Sequence, residues 1–291
     1  MTTTSTPIAF IGTGAIGTPM ALQLLQAGHQ LTAVDPYPSV SLLERDVVAV
    51  ASFDLISKER RPEIVIVMVA TPQQLHDVVE VALAGDLSGQ RWVIMSTVGP
   101  EAVRIEGQRL QAAGVHVLDA PVTGGVARAK TGELTIFASG VDVDLKAVQD
   151  VLECFGTVRE VGAEIGQGQA IKVVNQHLAS VHIVAAAEAL ALAGRLGLDP
   201  AEVLPLIDSG AAGSFMLSDR GPRMLQGTDV EVTSTIGIFV KDAGLVAQAA
   251  EAAGADTPLL DVARARYVSA AEAGLDRRDD SRVIETYTAG N

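Results

Sequence analysis

The chain has 291 residues, is 48% hydrophobic and 19% charged, and carries a formal net charge of -14. That length and composition suit one large domain or two smaller ones with real cores. An acidic surface repels nucleic acid and anionic membranes, and an aromatic content of 3% offers little for base stacking, so neither partner is expected.

The N-terminal stretch MTTTSTPIAF lacks a basic segment and runs straight into a strand-like run, which predicts no signal peptide and a cytoplasmic protein. PIAFIG (7–12) opens a series of β-branched runs. QLTAVD (30–35), EIVIVMVA (63–70), RWVIMST (91–97) and VHVLDAP (115–121) follow, with LTIFASG (134–140) as a further strand candidate. Their apolar residues occupy both faces, the pattern of parallel strands covered by helices on each side. Helical patterns such as TPMALQLLQAG and PQQLHDVVEVALAG lie between them, the second ending at a glycine suited to a C-cap. The alternation predicts a doubly wound α/β domain over residues 1–163.

Between the first strand and the first helix, FIGTGAIGTPM sets Gly12, Gly14 and Gly17 in a GxGxxG pattern. The first glycine permits a tight turn, the second lets a pyrophosphate approach the backbone, and the third allows close helix–strand packing. The helix N-terminus then favours the negative pyrophosphate of a dinucleotide, which makes the domain Rossmann-type. Asp35 ends the second strand. It can accept the adenosine ribose hydroxyls and repel a 2'-phosphate, or it can merely cap a turn. No arginine directly follows it, so the pattern favours NAD over NADP. Further on, LDAPVTGG places Thr123, Gly124 and Gly125 after a strand. The turn can present a hydroxyl and N–H groups to a carboxylate, or be a plain glycine turn.

After about residue 164 the strand signal vanishes. Helices are predicted over 168–195, 199–208, 236–253 and 257–273, with a short tail at 280–288, so 164–291 reads as an all-helical domain. The first of these helices is roughly 40 Å long and bridges the two domains. Its longest apolar run, Val181 to Ala193, is broken by Glu188 and is too short to span a bilayer. An apolar helix of that length needs covering, which points to an oligomer. Near its start, GQGQAIKVVNQ sets Lys172, Asn175 and Gln176 at i, i+3 and i+4, on one face. A helical lysine ordinarily snorkels to solvent. Beside a nicotinamide it can instead donate a proton to a carbonyl or accept one from a hydroxyl.

The remaining reactive side chains read as structural. Cys154 is the only cysteine, which excludes an intrachain disulfide and a cysteine-based zinc site. His177 and His182 do not share a helix face, so no metal site is expected. His29, His76 and His116 read as surface or turn residues. Ser96 has no evident base partner. Ser214 and Phe215 can line a pocket, or Ser214 can cap the following helix.

Together these motifs resemble the β-hydroxyacid dehydrogenase family, related to the core of 6-phosphogluconate dehydrogenase, and they recur in order over nearly the whole chain. The resemblance implies an NAD(P)-dependent oxidoreductase acting on a small hydroxy acid or its semialdehyde, assembled as a homodimer or homotetramer. It assigns Gly12, Thr13, Gly14, Ala15, Ile16, Gly17, Asp35, Thr71, Thr97 and Lys241 to the cofactor, with Asp242 supporting Lys241. It assigns Thr123, Gly124 and Gly125 to the substrate carboxylate. Lys172 becomes the catalytic lysine, and Asn175 helps place the substrate or the lysine. The sequence departs from the family pattern at Thr123, where serine is common, at Gln176, where a second asparagine is common, and in MVATPQQ around Thr71. VHIVAAAEALALA and SGAAGSFML lean toward the threonate-type branch. An imine reductase of similar fold is the alternative, disfavoured by Lys172 and DAPVTGG. A non-catalytic NAD-binding protein is the other, disfavoured by Lys172.

Overall fold

In the computed structural model, which describes residues 6–288, the chain divides into two compact units, Met1–Lys172 and Val173–Asn291. The first unit is built on a sheet of nine strands. They are β1 (Pro7–Ile11), β2 (Gln30–Val34), β3 (Val48–Val50), β4 (Ile64–Val67), β5 (Arg91–Ile94), β6 (His116–Asp119), β7 (Val122–Thr123), β8 (Leu134–Ser139) and β9 (Gly156–Gly162). The order is β3-β2-β1-β4-β5-β6-β8-β7, with β9 also paired to β8. The β3 to β6 ladders are all parallel, whereas β8 runs antiparallel to both β6 and β7.

The helices of this unit are α1 (Gly17–Gln26), α2 (Val40–Leu43), α3 (Pro72–Ala82), α4 (Pro100–Ala112), α5 (Gly125–Thr131) and α6 (Asp142–Glu153). Successive strand residues face opposite sides. Ile8, Phe10, Ile64 and Ile66 therefore pack with Met20 and Leu24 of α1 and Val148 of α6. Ala9, Ile11, Val65 and Val67 pack with Leu75 and Val79 of α3 and Val103 and Leu110 of α4. Both faces are covered, which is why the strands read as unbroken apolar runs.

The third helix ends at Ala82, with Leu83 in right-handed geometry at the C-cap, not at the glycine expected from its sequence. Three strands escape a pattern reading. VAV and VT are too short to show a period, and β9 carries exposed Arg159 and Glu160.

Among the described residues the second unit is helical. A single helix, α7 (Gln167–Arg195), begins in the first unit and continues into it. After it come α8 (Pro200–Asp208), α9 (Phe215–Met224), α10 (Ile236–Ala253), α11 (Pro258–Ala270), a short 3-10 turn over Asp280–Ile284, and α12 (Glu285–Thr288). In sequence α9 is hidden by Gly221 and Pro222, which normally interrupt helices. Its start is fixed by Ser214, whose hydroxyl accepts the Leu217 N–H at 3.1 Å. The core joins Ile183, Ala187 and Leu190 of α7 to Phe239 of α10 and Tyr267 of α11. The last two rings stack at 5.2 Å. By length and composition α7 could cross a membrane, a test that core helices of soluble proteins also pass. Here much of its apolar surface belongs to this core.

Candidate active site

The turn of strand order lies between β1 and β4, the place where open α/β sheets bind ligands at their carboxyl edge. The glycine loop fills that position. Gly12 donates its N–H to Val34 O at 3.0 Å, which closes the loop onto β2. Gly14 and Ala15 are exposed, and a side chain at Gly14 would meet nothing within 4 Å. The first turn of α1 has no side-chain cap at Ile16. The space beside Gly14, at the entry to that helix, is open. That arrangement fits a pyrophosphate.

Asp35 follows β2 and is tied to the same loop. Its Oδ2 accepts the Thr13 N–H at 2.7 Å and the Thr13 hydroxyl at 3.1 Å, and its Oδ1 accepts the Tyr37 N–H at 2.8 Å. The carboxylate is therefore aimed before any nucleotide arrives. The hydroxyl of Thr71 accepts the Gln74 N–H at 3.1 Å, while Gln74 Oε1 accepts the Thr71 N–H at 3.2 Å. This reciprocal cap starts α3 at the carboxyl edge of β4. Thr97 lies beyond β5, half-buried. Ser96 beside it donates to Val67 O at 3.2 Å and accepts the Val69 N–H at 2.7 Å, a structural use of the hydroxyl.

The DAPVTGG segment links β6 to α5. Thr123 of β7 pairs with Thr135 of β8, and Gly124 and Gly125 both take positive φ, 135° and 71°, where the chain turns into α5. Asp119, at the start of the segment, is fully buried. Its Oδ2 accepts the N–H groups of Gly166 at 3.0 Å and Gln169 at 2.9 Å, and so caps α7. Lys172, three residues on, is 6% exposed, so this lysine does not snorkel to solvent as helical lysines ordinarily do. The glycine loop, Asp35, Thr97, the Thr123 turn and Lys172 all belong to the first unit.

Burial pushes the Asp119 carboxyl up to about 6 from its ordinary 3.8, while the Gln169, Gly166 and Ser139 donors oppose the rise. The folded state therefore holds this proton to higher pH than the unfolded chain does. The stability contributed by the group falls as pH rises from about 4 to about 6, and is level above that. Going from about pH 7.5 to about pH 5, wild type should gain about 1 kcal/mol relative to Asp119→Asn in urea unfolding. Equal responses would place the carboxyl at its ordinary value.

In the second unit the polar residues of α7 meet α10. Asn175 Nδ2 donates to Gln176 Oε1 at 2.9 Å, and Gln176 Nε2 donates to Asp242 Oδ2 at 2.5 Å. Asp242 Oδ1 lies 2.7 Å from Lys241 Nζ. Asp242 is 4% exposed and Gln176 8%, so the chain of bonds is buried at its centre. Ser214 is engaged as the α9 cap, and Phe215 is exposed. His76 and His116, expected at the surface, are each half-exposed with Nδ1 against Glu106 and Asp144. No cluster of three or more His, Cys, Asp or Glu suited to a metal exists among the described residues. The roles of Asp119 and Gln169 carry no sequence period. Their only trace is their place inside LDAPVTGG and GQGQAIK.

Residues 7–175 match the family of NAD binding domains of 6-phosphogluconate dehydrogenase, and residues 166–287 match the family described as NAD-binding of NADP-dependent 3-hydroxyisobutyrate dehydrogenase. The chain is 37% identical to an L-threonate dehydrogenase of Cupriavidus necator over 96% of its own length and 95% of that protein. It is 31% identical to a 2-hydroxy-3-oxopropionate reductase of Escherichia coli, with 96% of each covered. The crystal structure of a 3-hydroxyisobutyrate dehydrogenase from Salmonella typhimurium superposes with a TM-score of 0.88 at 32% identity, covering 96% of this chain and 99% of that one. The chain therefore belongs to the β-hydroxyacid dehydrogenase family and is an NAD(P)-dependent oxidoreductase.

Proposed function

We propose that the enzyme oxidises a small hydroxy acid with NAD, with Lys172 as the general base and, in reverse, the general acid. The observation that carries the reading is the burial of Lys172 in the unit that holds the glycine loop. The glycine loop and Asp35 would hold NAD, which would supply the acceptor for the hydride of the carbinol carbon. Lys172 Nζ takes the hydroxyl proton as the carbonyl forms, and returns it in reduction. Thr123, Gly124 and Gly125 hold the substrate carboxylate and so orient the carbon for transfer. Asn175 helps place the substrate or the lysine, and Lys241, supported by Asp242, reaches cofactor or substrate. The relatives named for L-threonate make that acid the first substrate to test. Val174, Leu178 and Leu192 of α7 are more than half or about half exposed apolar residues, which supports a homodimer or homotetramer. We place the enzyme in the cytoplasm.

A panel of L-threonate, erythronate, glycerate, 3-hydroxyisobutyrate and 3-hydroxypropionate, each offered NAD and NADP, tests this. Reduced cofactor should form with at least one acid, and faster with NAD. Asp35→Ser should then lower kcat/KM for NAD about tenfold to a hundredfold, the worth of a hydrogen bond to a charged group, without harming NADP. Faster turnover with NADP in the wild type would overturn the NAD assignment. Silence across the panel would overturn the reaction.

A further inference from the structure

Gln169 has no part in the chemistry just described, yet its buried carboxamide is fully used. Oε1 accepts the N–H groups of Val98 and Gly99, both at 3.0 Å. Nε2 donates to Ser96 O at 2.9 Å and to Asp119 Oδ1 at 3.0 Å. Two acceptor positions and two donor protons are the whole capacity of an amide, so its orientation is fixed. Ser96, Val98 and Gly99 enclose Thr97, and Asp119 opens the segment that ends in Thr123, Gly124 and Gly125. One side chain thus ties α7 to both loops. Asp119 adds a second tie along the helix axis. Its carboxylate caps the first turn through the Gly166 and Gln169 N–H groups, and the Ser139 hydroxyl, which donates to it at 3.4 Å, accepts the Gly168 N–H at 3.0 Å. A negative charge at a helix N-terminus is favourable.

We infer that Gln169, held by Asp119, is a positioning residue that sets where α7 presents Lys172 relative to the Thr97 and Thr123 loops. The inference rests on the proposed role of Lys172. The bonds at Gln169 fix the rotation of the helix and those at Asp119 fix its advance. Lys172 lies three residues on in the same helix, so a shift of the helix at Gln169 carries the Lys172 backbone with it.

The test replaces hydrogen-bond direction while keeping shape. Gln169→Glu removes both donors and sets a carboxylate against Asp119 Oδ1. In the double variant with Asp119→Asn, the new amide can donate to the new carboxylate while its oxygen still caps α7. With L-threonate, or the panel acid that turns over, Gln169→Glu should lower kcat about a hundredfold, the scale of a misplacement of about 1 Å. NAD affinity, read by quenching of protein fluorescence, should stay within about threefold, and the double variant should recover at least about tenfold in kcat. Wild-type kcat in Gln169→Glu would overturn the inference. So would a parallel loss of kcat, NAD affinity and Tm with no recovery in the double variant, the mark of a merely structural residue. Where Gln169→Glu does not fold, the double variant must fold and keep kcat within about tenfold of wild type for the inference to stand. Lys172→Ala in the same series separates the readings. If it retains turnover, the lysine assignment and this inference fall together; if it is inactive while Gln169→Glu is fully active, positioning alone falls.

Discussion

Replacing Lys172 by alanine is expected to lower kcat for hydroxy-acid oxidation by about 10²- to 10⁴-fold, the range that a positioned acid or base contributes. Hydride cannot leave the carbinol carbon smoothly unless the hydroxyl proton leaves with it, and Lys172 is the buried amine of the unit that carries the glycine loop. NAD affinity should change little, because the loop and Asp35 are built from other elements. Lys172→Arg sharpens the reading. Arginine keeps the positive charge but does not deprotonate in proteins, so it can stabilise an alkoxide yet cannot serve as base. Oxidation should remain depressed in the arginine variant. Activity near wild type there would reassign Lys172 to a purely electrostatic part.

Gly17→Ala should be severely damaging to the cofactor loop. A Cβ at Gly17 would stand 1.9 Å from Gly12 O and 3.1 Å from the buried Phe10 ring. Gly12 cannot retreat, since its own φ is 91° and a Cβ there would stand 2.4 Å from Met68 O. Relief requires α1 to move off β1. The cost should be about 3 kcal/mol or more, at or beyond the upper end for overpacking, read as a fall in the urea midpoint together with loss of NAD binding. Gly14→Ala is the contrast. The protein itself leaves that position open, so folding should be kept and only nucleotide binding lost. Normal NAD binding in both variants would remove the pyrophosphate from this loop.

Much of the first unit is legible in sequence because its strands are covered on both faces, and Ile8 to Ile11 or Ile64 to Val67 therefore read as unbroken apolar runs. The direction of β8 is not legible. Its apolar residues look like those of its parallel neighbours, and the reversal that makes it antiparallel to β6 and β7 comes in the connection through α5. The glycine loop and the α7 lysine are visible because their spacing is local. Gln169 is not, since its partners Asp119 and Val98 lie 50 and 71 positions away along the chain. Ser214 shows a third case. The sequence permits both a pocket residue and a cap, and the bond to Leu217 N shows the cap in place.

The most direct test of the account is a single turnover. Enzyme preloaded with NAD is mixed with L-threonate, or with the panel acid that supports turnover, and the absorbance of the reduced nicotinamide is followed in wild type and Lys172→Ala. A fast phase of hydride transfer is expected in wild type and its loss in the variant, with NAD still bound. A fast phase of equal rate in Lys172→Ala would contradict it.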